Sequence, residues 1–135
     1  MRGTLVRLIL SGVILLLPFC ALAEGAVRLL ECSIEEACDP TGSCRPDFGD
    51  VVFSMEPLKL DADGSGSYLI SYDMSNITQK SDMEAKSFAG PFLWNLDREM
   101  HTLLANSETN FLWHRLSLTP NPESSIYFLG CEFTQ

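Results

Sequence analysis

Apolar and polar residues alternate in short segments along most of the chain after Gly25. In such a segment every second residue shares a face, as the side chains of a β-strand do, and no stretch shows the periodicity of an amphipathic helix. The alternating segments are 27–34, 51–56, 67–74, 92–94, 98–106, 110–118 and 125–133. Because turn-forming residues separate them, the pattern predicts an all-β domain, a small antiparallel barrel or sandwich of about seven to eight short strands.

Three stretches interrupt the alternation. At Pro57 the apolar parity shifts by one position, which predicts a bulge or a break in that strand. Residues 35–50 combine prolines, glycines, acids and two cysteines, a composition typical of a loop. Residues 76–87 are ambiguous and fit an edge strand, a short helix or a mobile loop.

The first residues have the pattern of a secretory signal peptide. Arg2 and Arg7 precede the apolar run 8–19, and the small residues of 21–23 form a cleavage site. The run is shorter than the roughly 20 residues of a membrane-spanning helix and contains Pro18. We therefore expect cleavage after residue 23, a single domain over 24–135, no membrane span after cleavage, and a periplasmic or secreted location.

Four cysteines follow the predicted cleavage site: Cys32, Cys38, Cys44 and Cys131. An even number in a small exported chain indicates disulfides, whereas a zinc site would need a closer pair than this spacing provides. Cys32 and Cys131 lie on the apolar parity of the first and last strands, which favours pairing them and closing the loop with Cys38–Cys44. The other two pairings stay open on sequence grounds.

The chain is acidic. It has 9 Lys and Arg against 18 Asp and Glu, and cleavage would remove two arginines and take the net charge from −9 to −11. Such a surface repels nucleic acid, because phosphate binding depends on basic side chains. It favours a cationic protein partner, although acidity also serves solubility alone. We expect a monomer.

The segment DADGSGS, residues 61–67, resembles the first half of a calcium-binding loop, with Asp61, Asp63 and Ser65 as the ligand candidates. The bidentate Glu that should end the loop is replaced by Tyr72, and neither flank is helical. Asp, Gly and Ser are also hairpin-turn residues. The sequence therefore predicts a hairpin in which calcium binding is the weaker alternative.

Catalytic motifs are missing from the sequence. His101 and His114 belong to no metal-binding or nucleophile motif, and the pattern makes His114 a partly buried residue with one bonded nitrogen. Scattered carboxylates leave open a small hydrolase that uses two acids. We expect no enzymatic activity and no cofactor.

Aromatic residues supply a further candidate surface. Phe111 and Trp113 share one face of a strand whose other face carries leucines. If the aromatic pair faces outward, it forms an apolar patch for a partner. The alternative is a sandwich in which both faces are buried, and the pattern favours that alternative.

The chain resembles small, uncharacterised exported proteins of alphaproteobacteria in its early cysteine triplet and in the segments GPFLW (90–94), HTLL (101–104), FLWH (111–114) and FLGC (128–131). It also resembles periplasmic inhibitors of C-type lysozyme, which are small disulfide-linked β-barrels with an S-G-x-x-Y inhibitory loop. Here Ser65 and Tyr68 are one residue closer together than in that loop, and the family's Thr-Lys-Gly motif is absent.

We therefore expect an exported, non-enzymatic binding or envelope-accessory protein. The alternative is a lysozyme inhibitor that acts through the hairpin 63–68. In that alternative, the second resemblance implies that Ser65 and Tyr68 contact the enzyme.

Overall fold

Strands account for nearly all of the regular structure in a computed structural model, which describes residues 25–134. The predicted signal peptide lies outside the described residues. The strands are β1 (Arg28–Cys38), β2 (Cys44–Pro46), β3 (Asp50–Leu60), β4 (Gly66–Met74), β5 (Ile77–Ala85), β6 (Phe92–Leu96), β7 (Glu99–Ala105), β8 (Asn110–Ser117) and β9 (Ser124–Thr134).

Eight of these strands form a closed antiparallel barrel. From β3 onward each strand pairs with the next one along the chain, and β1 closes the ring by pairing with both β3 and β9. The short strand β2 is an addition that pairs with the end of β1. The all-β prediction is confirmed. Of the two architectures that the sequence allowed, a barrel and a sandwich, the protein forms the barrel.

Two of the uncertain stretches become strands. Residues 76–87 contain β5, which pairs with β4 on one side and β6 on the other, so that segment is not an edge. The predicted loop 35–50 contains the end of β1 and all of β2. The predicted irregularity at Pro57 is confirmed, because the register of β3 against β4 shifts between Pro57 and Lys59.

One face of every barrel strand fills the interior. Alternation places Leu30 of β1, Phe53 of β3 and Ile70 of β4 inside, and all are fully buried. Aromatic rings contact one another in the interior, among them those of Phe53, Tyr72, Trp94 and Trp113. Side chains therefore pack the middle of this small barrel, and its clefts lie at the ends and on the outer surface.

Both predicted disulfides are confirmed. Cys32 on β1 and Cys131 on β9 are direct partners in the strand register and are bonded across the seam that closes the barrel. Cys38 and Cys44 are bonded at the junction of β1 with β2. The two bonds are compatible with an oxidising compartment outside the cytosol. Within 25–134 no helix is long and apolar enough to cross a membrane.

Candidate functional site

An open cleft of about 680 Å³ lies at one end of the barrel, where the turns β4–β5 and β6–β7 and the loop β8–β9 come together. One wall is apolar and consists of Met74, Ile77 and Leu96. The rest includes Tyr72 and four charged residues, Asp97, Arg98, Glu99 and Arg115. We call this site the arginine cleft. Its volume is in the range of pockets that hold small molecules.

Strand alternation puts the charged residues at the mouth and aromatic residues beneath them. Glu99, His101 and Leu103 share the inward face of β7, and Glu99 is the first of them at the open end. On β8 the inward face carries Phe111 and Trp113, with Arg115 next towards the mouth. His101 on β7 is the register partner of Arg115 on β8. The inward-facing charged and aromatic side chains of the two strands therefore lie next to one another.

Arg115 and Glu99 form an ion pair on the cleft wall. The Nε and Nη2 atoms of Arg115 donate to the same carboxylate oxygen, Oε2 of Glu99, at 3.3 and 2.7 Å. The guanidinium also lies over the ring of Trp113, with its central carbon 5.3 Å from the centroid. Burial alone would lower the pKa of Arg115, but the bond to Glu99 outweighs it and the pKa is raised. The arginine is therefore permanently charged and held in one orientation.

His101 lies directly beneath this pair and has no exposed surface. Its ring stacks on Trp94, with centroids 4.9 Å apart, and lies 5.9 Å from Trp113. Nε2 is 3.4 Å from Oε2 of Glu99, but without hydrogen-bond geometry, so both ring nitrogens lack a partner among the described residues. Burial is the main cause that lowers the pKa of His101 to about 4, and the charge of Arg115 adds to it.

The ring of Tyr72 completes the floor between His101 and the solvent. Its centroid is 5.8 Å from that of His101, and Tyr72 also lines the cleft. Burial raises the pKa of Tyr72, so its phenol is neutral across the physiological range. Three ionisable groups with shifted pKa values, Tyr72, His101 and Arg115, are therefore concentrated at one end of the barrel, as is typical of functional sites.

The outward-facing alternative for Phe111 and Trp113 is wrong, and the burial that the pattern favoured is confirmed for these two side chains. Both side chains point into the barrel and are 2% and 0% exposed. On the opposite parity of β8, Leu112 and Leu116, with His114 between them, lie half-buried on the outer surface. Since a single closed barrel has one interior, the sandwich alternative that would bury both faces does not apply either. The Nε2 atom of His114 is 2.9 Å from the hydroxyl of Ser124, which confirms the expected bonded nitrogen.

The segment 61–65 forms the predicted hairpin turn between β3 and β4. The N–H of Asp61 donates to the carbonyl of Ser65 at 2.9 Å, and the backbone N–H and hydroxyl of Ser65 both donate to Oδ1 of Asp63. These bonds, led by that of the hydroxyl, lower the pKa of Asp63. Tyr68 is 1% exposed and donates its hydroxyl to the carbonyl of Gly64, so it supports the turn from inside and is not available to contact a partner.

Calcium binding at this turn stays a prediction. The side chains of Asp61, Asp63 and Ser65 bond to one another in the turn. Among the described residues, one group of three metal-ligating side chains is close enough to share an ion, namely Glu36, Cys38 and Cys44. Its two sulfurs already form a disulfide, so this group offers no thiolate ligand.

No protein-family model matches this sequence, and no curated protein matches it significantly. The arginine cleft is not apparent from the sequence, because its residues come from five strands, β4 to β8, and their turns, and none belongs to a motif.

Proposed function

We propose that this protein is an exported, non-enzymatic binding protein and that its ligand site is the arginine cleft. The observation that carries the proposal is the arrangement of Arg115 and Glu99 above the unpartnered His101. A fixed cation, an apolar wall and buried polar atoms without partners occur together at one concave site, which is the usual composition of a small-molecule site.

Binding fits this site better than catalysis. His101 is the cleft's natural acid–base group, but it is fully buried beneath Tyr72 and Glu99 and cannot reach a bound molecule. Glu99 is occupied by Arg115. The remaining groups suit recognition, because they are a fixed charge and an apolar surface.

The ligand-site proposal is tested by NMR on the oxidised protein, residues 24–135, labelled with ¹⁵N. A fragment set of acids, amines and neutral compounds is added in turn. We expect shift changes around Tyr72, Leu96 and Arg115, and none around Glu31 and Asp50, which line a separate cleft. Absence of shift changes at the arginine cleft with every fragment would contradict the proposal.

A matched pair of variants tests whether the cleft wall takes part. Ile77 lines the cleft and is 59% exposed, whereas Leu58 lies outside it and is 57% exposed. Ile77→Asp is expected to weaken fragment binding, and Leu58→Asp to leave it unchanged. Equal effects of the two substitutions would mean that the fragments bind outside the arginine cleft.

Export is the part of the proposal that rests on the N-terminal pattern and on the disulfides. The expected result is a periplasmic or secreted protein that begins at Glu24 and contains no free thiol by mass spectrometry. An intact chain with reduced cysteines in the cytosol would contradict export.

The second candidate is an inhibitor of C-type lysozyme that acts through the hairpin 63–68. The observations in its favour are a disulfide-linked barrel, an exposed turn with Ser65 partly accessible, and an acidic surface suited to a cationic enzyme. A lysis assay tests it, with Ser65→Ala expected to reduce inhibition and Ser43→Ala, at an exposed serine outside this hairpin, to preserve it. Undiminished lysozyme activity at a large molar excess of wild-type protein would end this candidate.

A further inference from the structure

Arg115 has unused hydrogen-bonding capacity at the cleft wall. A guanidinium carries five N–H donors, and two of those of Arg115 are directed at Glu99. The structure shows no other hydrogen bond from this side chain to a described residue. Its side chain is 27% exposed, so the remaining donors face the cleft and the solvent in an orientation that Glu99 and Trp113 fix.

The buried atoms beneath the cleft also lack acceptors. Within residues 25–134, Nε1 of Trp94 and Nε1 of Trp113 have no hydrogen-bond partner, and neither have the two ring nitrogens of His101. An indole N–H can only donate, and a neutral imidazole has one donor. Glu99 Oε2, the carboxylate oxygen nearest His101, already accepts two bonds from Arg115. Donors therefore outnumber acceptors among these buried atoms, but like His101 they are enclosed and do not reach the cleft, so Arg115 is the group that meets a ligand.

The charge of the cleft differs from that of the protein as a whole. Arg98 and Arg115 balance Asp97 and Glu99, so the lining is formally neutral in a chain of net charge −9. The cleft that contains Glu31 and Asp50, by contrast, is lined by acids without a basic residue. An anion meets less repulsion at the arginine cleft than at that acidic surface.

We propose that the arginine cleft binds a small organic carboxylate. The planar carboxylate accepts hydrogen bonds from the outward N–H groups of Arg115, a pairing that guanidinium geometry favours. The apolar body of the ligand lies against Met74, Ile77 and Leu96. This inference rests on the proposed function and adds the chemical class of the ligand.

Three probes of equal chain length separate charge from apolar contact: hexanoate, 1-hexanol and hexylamine. The two tryptophans of the chain, Trp94 and Trp113, lie beneath the cleft, so intrinsic fluorescence reports binding without a label. We expect a saturable change with hexanoate at pH 7.5 and a dissociation constant at least about tenfold lower than for the other two probes. Stronger or equal binding of hexanol or hexylamine would overturn the carboxylate class and leave the ligand site standing.

Two arginine variants identify the group that binds the anion. Arg115→Gln is expected to weaken hexanoate binding at least about tenfold, while Arg45→Gln, an exposed position on β2, leaves it unchanged. Arg115→Lys keeps the charge but loses the planar fork, and it provides a folded comparison if Arg115→Gln is unstable by urea denaturation. Equal effects at positions 45 and 115 would overturn the inference. If none of the three probes binds, the carboxylate inference is also overturned. Whether the cleft is a ligand site at all is then decided by the NMR fragment screen.

Discussion

The imidazole of His101 lies parallel to the indole of Trp94, with ring centroids 4.9 Å apart and 2° between the planes. The carboxylate of Glu99, 3.4 Å from Nε2 of His101, favours the charged form of the imidazole, but it is shared with Arg115 and is outweighed by burial. Burial and the charge of Arg115 therefore hold the pKa of His101 at about 4, below its ordinary 6.5. The folded protein keeps the ring neutral at pH values where the unfolded chain would protonate it.

This difference makes stability depend on pH in a defined direction. Between pH 6.5 and 4 the unfolded state binds more protons at this site, so the free energy of unfolding decreases as the pH falls through that window. The contribution is fully present above pH 6.5 and is lost near pH 4. From pH 7.5 to 4.5 we expect His101 to account for a loss on the order of 2–3 kcal/mol, measured by urea denaturation.

Comparison with His101→Phe isolates this contribution, since the acidic residues that titrate in the same range are present in both proteins. The variant is expected to lose less stability than the wild type over the interval. His114→Gln is the control, because His114 lies on the outer surface beside Ser124, and it should follow the wild type. A His101→Phe protein as sensitive to pH as the wild type would show that His101 does not carry the effect.

The two disulfides should differ in their contribution to stability. Cys32 and Cys131 are 99 residues apart in sequence, whereas Cys38 and Cys44 are 6 apart. Because a longer closed loop restricts the unfolded chain more, the loop-closure model gives about 4–5 kcal/mol for the first bond and about 2 kcal/mol for the second. Replacing each pair by alanines and measuring urea unfolding tests this order. A larger loss from the Cys38–Cys44 pair would contradict it.

Alternation predicted most of the strands and favoured the pairing of Cys32 with Cys131. Cys32 and Cys131 could be paired because each shares a parity with buried neighbours, and parity defines the face of a strand whatever its partner. β2 was missed because Cys44–Pro46 is too short to alternate and follows turn residues. In its pairing with β1, Cys44 lies opposite Cys38, a register that parity does not reveal.

The arginine cleft could not be predicted because it depends on register. Glu99 and Arg115 lie on different strands, and their contact requires that His101 be opposite Arg115. That register follows from the turns and from closure of the ring, which no local pattern encodes. Phe111 and Trp113 were ambiguous for a related reason, since both faces of β8 are apolar and alternation does not say which face is inside.

The burial of Phe111 predicts a large cost for its removal. Phe111→Ala leaves a cavity in the packed interior and is expected to lower the free energy of unfolding by about 3–5 kcal/mol. Phe48 is the same residue type but is 89% exposed, so Phe48→Ala should change it by less than about 0.5 kcal/mol. Urea denaturation of both variants at pH 7.5 measures the difference. A small loss of unfolding free energy in both variants would contradict the burial of Phe111.

The hairpin between β3 and β4 depends on a glycine at position 66. Gly66 has φ +136°, and a Cβ there would overlap the carbonyl oxygen of Lys59 on the opposing strand. Gly66→Ala therefore combines backbone strain with a collision against main chain, which cannot move aside as a flexible side chain could. We expect it to lower the free energy of unfolding by at least about 3 kcal/mol.

Gly42→Ala is the matched control for this collision. Gly42 also has a positive φ, +82°, but a Cβ there meets nothing within 4 Å. The control should therefore show the backbone cost alone, about 1–2 kcal/mol. The excess loss at position 66 therefore reports the close approach of the Lys59 carbonyl on β3 to β4. Equal losses at positions 42 and 66 would mean that the strands are farther apart at the hairpin than the structure places them.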